Sequence, residues 1–261
     1  MVPRSGGLQL QRLASYRTST APVDITVTGN VIAIADLMKS VCIVEYHEGE
    51  NGAPDKLVEV ARHFQTVWAT GVTSVAPDTY LESDAEGNLI VLRRNRSGVE
   101  EDDRRRLEVT GEICLNEMVN RIRPVNIQQL PSATVVPKAF LATVRYPSPS
   151  PSHARLIFNS LQVEGSIYLY AIINPDYQDF LMRLQATMAS RVDTLGGIPF
   201  TDYRAFRTMT RQATEPYRFV DGELIERFLT CEPAVQKEIV DIVGSSLEEV
   251  RAIVEALRRL H

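Results

Sequence analysis

Cysteine is scarce. The 261 residues hold three, Cys42, Cys114 and Cys231, far apart and each in apolar surroundings. That spacing supports neither a disulfide framework nor a zinc site, and it reads as three buried thiols in a reducing compartment. Histidine occurs four times, scattered as His47, His63, His153 and His261. No paired metal histidines, no Gly-rich phosphate loop and no Gly-x-Ser-x-Gly elbow are present, so the chain is expected to be non-enzymatic and to carry no cofactor. No apolar run nears the roughly twenty residues of a membrane span and no signal peptide opens the chain, which predicts a soluble intracellular protein. A basic surplus is missing as well. The formal net charge of −5 argues against a surface built as a whole to bind nucleic acid.

What is present is ordinary globular material, 44% hydrophobic and 23% charged, enough for one large or two ordinary domains. The first half is built on one repeated unit. Residues 31–46, VIAIADLMKSVCIVEY, read as strand, tight turn, strand, with Asp36 ending the first strand and Val41 opening the second. Residues 80–94, YLESDAEGNLIVLRR, repeat it, with Asp84 and Leu89 at the same spacing. A weaker copy begins at Phe140 (FLATV) and resumes at Glu164 (EGSIYLYAII), with Thr143 in the aspartate position. A period of roughly fifty to sixty residues is close to one four-stranded propeller blade.

The connecting stretches fill in the blades. Residues 1–7 read as a disordered lead and 9–16 as a strand; 23–28, 57–64, 70–75, 107–115 and 121–130 read as further strands, with Pro124 requiring an edge or a strand end. The acid-then-base block 97–106 reads as a solvated loop. The third copy is interrupted: about nineteen Pro/Ser-rich residues, 144–162, separate its halves, and they read as an in-frame insertion such as a retained short intron.

From Asn174 the period becomes helical. Asn174-Pro175 opens a helix carrying Tyr177, Phe180, Leu181, Leu184, Met188 and Val192, which Gly196-Gly197 stops. Asp221 caps a second, with Leu224, Ile225, Phe228 and Leu229 inward; Pro233 opens a third through Val243; Ser245 with Glu248 makes a capping box for the last, with Leu247, Val250, Ile253, Val254, Leu257 and Leu260 inward. The predicted class is therefore β plus α, a partial WD40-like β-propeller over 8–173 followed by an all-helical C-terminal domain over 174–261.

ARHFQTVWATGV, the Asp36-Leu37-Met38-Lys39-Ser40 turn, GEICLNEMVN, and TEPYRFVDGELIERFL with the terminal EALRRLH together resemble the C-terminal portion of the DNA damage-binding protein 1 family. That family shares its architecture with the A subunits of the cleavage and polyadenylation factor and of a splicing factor. The resemblance covers nearly the whole chain and implies the last blades of a third propeller plus the helical domain. It implies a nuclear scaffold that links substrate receptors, through a helical motif, to a cullin-RING ubiquitin ligase in DNA repair and chromatin regulation. The alternative it leaves is a nucleic-acid-binding subunit of an mRNA cleavage/polyadenylation or splicing complex. The receptor-facing surface would include Lys39, Arg62, Trp68, Met118 and Asn120. Lys39 stands where the family commonly has arginine, and Met118 where it has phenylalanine. Arginines at 93, 94, 96, 121 and 123, and above all the run Arg104, Arg105 and Arg106, are candidates for weak DNA or RNA contact, although few aromatics interleave with them.

Overall fold

The computed structural model describes residues 2–4, 7–9, 11–125, 135–143 and 167–258. Thirteen strands and six α-helices are placed among them. Strands β1 (Val2–Arg4) and β2 (Gly7–Gln9) form a short antiparallel pair, so the opening is not the structureless lead its composition suggested. Residues 11–18 take no strand, contrary to the expectation for 9–16.

The repeated unit is the centre of each of two four-stranded sheets. The first runs β3 (Pro22–Thr28), β4 (Val31–Asp36), β5 (Ser40–His47) and β6 (Lys56–Arg62), all antiparallel neighbours. The second runs β7 (Ala69–Ala76), β8 (Thr79–Asp84), β9 (Asn88–Arg94) and β10 (Leu107–Cys114), again with consecutive strands side by side. Neither sheet closes on itself, and the meander order is consistent with propeller-like blades. The repeated aspartate has a repeated job. Asp36 accepts the backbone N–H of Met38 (3.3 Å) and Asp84 that of Glu86 (3.0 Å), so each carboxylate closes the turn two residues on.

The third copy is also a hairpin. β12 (Val135–Thr143) pairs antiparallel with β13 (Ile167–Ile173), and the last residue of the one, Thr143, meets the first of the other, Ile167. β11 (Arg121–Val125) lies on the outside of this three-stranded sheet, which gives Pro124 the edge it needs. Residues 144–162, read as an insertion, lie outside the described residues.

Between β9 and β10 the acid-then-base block is not only loop. It contains the short helix α1 (Glu101–Arg105), with Glu101, Asp102 and Asp103 in the first turn and Arg104 and Arg105 in the last, the arrangement the helix dipole favours.

The chain divides into two compact units, residues 1–82 with 92–108, and residues 83–91 with 109–261. In the first, β4 and β5 are buried on both faces, and Ala33, Ala35, Val41, Cys42, Ile43 and Val44 are almost fully enclosed. β7 lies against β3 and β4 on one side, and the Asp24 carboxylate accepts the Val72 N–H there. On the other face Tyr16 packs with Ile32 and Leu57 onto Ile34, Cys42 and Val44. Each such aliphatic side chain, fully buried, stabilises by about 1.5–3 kcal/mol. Ile25 and Val27 on the edge strand β3 stay exposed.

The second unit contains the other five α-helices. α2 (Pro175–Arg191) buries Leu181, Leu184 and Met188. It ends before the glycine pair expected to stop it; Gly196, at φ 74°, instead sits in a short 3₁₀ turn, Leu195–Gly197. α3 (Phe200–Arg204), α4 (Gly222–Glu226), α5 (Pro233–Val243) and α6 (Leu247–Arg258) complete one core with Phe200, Leu224, Ile225, Phe228, Ile239, Val243, Val250 and Val254. Asp221 accepts the N–H groups of Glu223 (2.9 Å) and Leu224 (3.4 Å), the cap read from the sequence. The α6 cap is one residue later than expected: the Ser246 hydroxyl accepts the Glu249 N–H at 3.1 Å, while the Glu249 carboxylate accepts the Ser245 hydroxyl at 2.5 Å. Leu247 is consequently exposed rather than inward. Cys42 and Cys114 are buried as expected, but Cys231 is only half-buried, its thiol donating to the Arg227 carbonyl at 3.2 Å.

Candidate partner-binding site

Five residues, 63–67, connect β6 to Trp68 and β7, and they present two aromatics. Phe64 is 64% exposed and Trp68 55% exposed, so the one tryptophan of the chain is not a core residue. Between them Val67 is buried and anchors the loop. The Asp36–Ser40 turn lies directly alongside, because the Ser40 N–H donates to the Val67 carbonyl at 3.0 Å. Lys39, exposed at the tip of that turn, and Trp68 are thus brought together from positions far apart in sequence.

Beneath them lies a polar cluster that the sequence did not disclose. Ser40, His63 and Glu82 are all buried, with the Ser40 hydroxyl 2.6 Å from His63 Nδ1 and donating toward the Glu82 carboxylate at 2.7 and 2.8 Å. His63 Nδ1 and Glu82 Oε2 are 3.4 Å apart. Ser40 reaches this position through a left-handed backbone, φ 58°, a conformation that costs a non-glycine residue about 1 kcal/mol or more. The four histidines looked equally isolated in sequence, since the partners of His63 come from other strands.

Arg62 ends β6 just ahead of the loop, and its side chain is half-buried. Residues three apart on a regular strand face opposite sides; the bulge between the Ile43–Ala61 and Val44–Glu59 pairs puts Glu59 and Arg62 on one side. The guanidinium then closes as a fork on Glu59, Nε to Oε1 at 2.8 Å and Nη2 to Oε2 at 2.7 Å, and the Tyr16 hydroxyl donates to the same carboxylate. The Arg62 hydrogen bond holds the Glu59 carboxyl below its ordinary range, against the opposing pull of burial. Burial and the bond to Glu59 push the Tyr16 hydroxyl well up.

Arg62 and Glu59 also line a cleft of about 460 Å³ with Ala61, Phe64, Asp102, Arg105 and Arg106. Two separate sequence expectations, partner contact at Arg62 and phosphate contact at Arg105 and Arg106, therefore meet in one place. The arginines there are largely engaged. Arg104 donates to the carbonyls of Gly98 (2.8 Å) and Val99 (3.0 Å), Arg105 pairs with Glu101 at 3.4 Å, and the Arg106 guanidinium sits 5.9 Å from the Phe64 ring. Arg94 and Arg96 bind Glu45 and Asp78 in the same unit.

Met118 and Asn120 belong to the second unit. They lie on the connection from β10 to β11, Met118 exposed and Asn120 half-buried, around buried Val119, whose carbonyl accepts the Ser83 hydroxyl at 2.9 Å.

Among the described residues no three His, Cys, Asp or Glu side chains converge as metal ligands, and no helix is long and apolar enough to cross a membrane. The recognisable chemistry sits on loops carried by rigid sheets, the layout of a protein that meets others through its surface. The chain belongs to the family described as the CPSF A subunit region, whose model matches residues 1–230. It is similar to DNA damage-binding protein 1a of Arabidopsis thaliana, 29% identical over the whole chain and 22% of that protein. It is similar also to DNA damage-binding protein 1 of Schizosaccharomyces pombe, 27% identical over 95% of the chain and 21% of that protein, and of Drosophila melanogaster, 26% identical over 97% and 21%. The chain thus spans about a fifth of the length of the curated relatives it matches.

Proposed function

We propose that the chain acts as the C-terminal part of a non-enzymatic nuclear scaffold, the last blades of a third propeller with a helical domain, which links substrate receptors to a cullin-RING ubiquitin ligase in DNA repair. The observation that carries this reading is the loop that offers Phe64 and Trp68 beside Lys39. Tryptophan is among the commonest energetic anchors of protein interfaces, and here it stands in water with a second aromatic on a well-anchored support. Arg62 in the first unit and, separately, Met118 and Asn120 in the second are the further proposed receptor contacts. Similarity to proteins named for binding damaged DNA supports the repair context. The test is recovery of the protein from nuclei together with whatever is bound to it. Copurification with a cullin and its receptors is the expected result. Copurification with polyadenylation or splicing factors instead would favour the other branch of the family.

A second reading, direct DNA contact through Arg104, Arg105 and Arg106, is favoured by the same relatives' name. The geometry weakens it, since Arg104 and Arg105 already hold partners and Asp102 shares the cleft. Replacing all three by alanine is expected to leave DNA affinity and its salt dependence unchanged. If they hold phosphates, the slope of log affinity against log salt will instead fall by about 0.9 for each lost contact.

A further inference from the structure

We propose that the buried Ser40–His63–Glu82 cluster is the positioning device of the partner surface, holding Trp68 and Phe64 in one arrangement before any partner arrives. The proposal rests on the docking role given above to this loop. Ser40 grips both ends of the loop: its hydroxyl meets His63 at the start, and its N–H meets the Val67 carbonyl at the end. The His63 N–H donates to the Val41 carbonyl at 2.9 Å, fastening the same start to β5. Glu82 accepts the Ser40 proton, which leaves the serine oxygen free to accept from His63 Nδ1–H. His63 Nε2 is buried without a hydrogen-bond partner, so Nδ1 is the one polar atom of the ring that fixes its orientation. All three side chains are buried, and the left-handed Ser40 backbone is kept despite its cost. The cluster is buried and presents no side chain to a partner. It acts through the loop, by removing beforehand the conformational freedom that binding would otherwise have to remove.

Trp68 reports on this without a ligand, because it is the only tryptophan of the chain. In Ser40→Ala and His63→Phe the fraction of Trp68 fluorescence anisotropy lost to sub-nanosecond motion is expected to rise about twofold, and acrylamide quenching to rise with it. His63→Asn, whose amide can place a donor where Nδ1 stands, should stay close to the wild type. Equal Trp68 order in Ser40→Ala, His63→Phe and the wild type would overturn the proposal. The wild-type chain gives a reading that does not depend on whether the variants fold: Trp68 must show little fast motion, and large-amplitude sub-nanosecond motion there would also overturn it. The docking role is judged separately, by Trp68→Ala. Retained receptor binding in Trp68→Ala together with a loosened Trp68 in Ser40→Ala would end the docking reading and support the positioning device. Lost binding with an unloosened Trp68 would do the reverse.

Discussion

Replacing Asp221 by alanine will cost the helical unit about 3–5 kcal/mol, because it strands a buried cation. The Asp221 carboxylate is 2.7 Å from the Arg204 Nε, and both side chains are almost wholly enclosed. Burial works to lower the Arg204 pKa, and the adjacent Asp221 more than reverses that, so the guanidinium stays charged. Glu223 replaces the lost partner only in part, since loss of the Asp221 charge favours its anionic form but it keeps the longer contact and the burial. It lies 3.5 Å away, and burial followed by the Asp221 charge raises its own pKa. The same aspartate caps α4, and its N–H donates to Gln185 Oε1 at 2.6 Å, which ties α4 to α2. A melting temperature lower by on the order of 10 °C is the expected calorimetric result. The pair Arg204→Met with Asp221→Asn removes both charges and keeps the cap oxygen, so it should recover most of the loss. A loss below about 1 kcal/mol in Asp221→Ala would mean that water reaches Arg204.

Trp68→Ala is expected to have the opposite profile, with binding lost and stability kept. Its ring is 55% exposed, so truncation removes little buried area, and the buried neighbour Val67 continues to anchor the loop. Truncating an interface anchor of this kind costs about 2 kcal/mol or more, roughly thirtyfold in affinity for a receptor helix. Lys39→Ala should weaken binding less, since a compact ammonium on a flexible stem lacks the planar fork of arginine. Arg62→Ala will not behave as a clean surface change, because it frees Glu59 and the Tyr16 hydroxyl together. Binding assays should therefore be read with the melting temperature of each variant beside them.

Local signals carried most of the fold. The Asp36 and Asp84 turns, the α4 cap at Asp221 and the bounds of α5 all depend on neighbours a few residues away, and periodicity with turn chemistry reveals them. The α6 cap fell one residue off because Ser245 and Ser246 each precede a glutamate three positions on, and only geometry chooses between them. α1 was hidden inside a charge block that reads as solvated loop. Long-range pairing was not legible at all. His63 meets Ser40 from another strand and Glu82 from another sheet, the bulge that turns Arg62 onto Glu59 has no residue signature, and the left-handed backbone at Ser40 falls on a residue that rarely adopts it. The exposed aromatics followed the same rule: Trp68 was singled out by resemblance, while Phe64, the more exposed of the two, reads from sequence only as the end of the 57–64 strand, which in the structure stops at Arg62.

The partner surface is tested most directly by titrating a synthetic receptor-motif helix into the chain and following the emission of Trp68. Saturable binding with a shift of that emission to shorter wavelength, its midpoint moved to higher helix concentration in Lys39→Ala, is the predicted result. Saturable binding that leaves the Trp68 emission and its quenching by acrylamide unchanged would place the contact elsewhere and contradict the account.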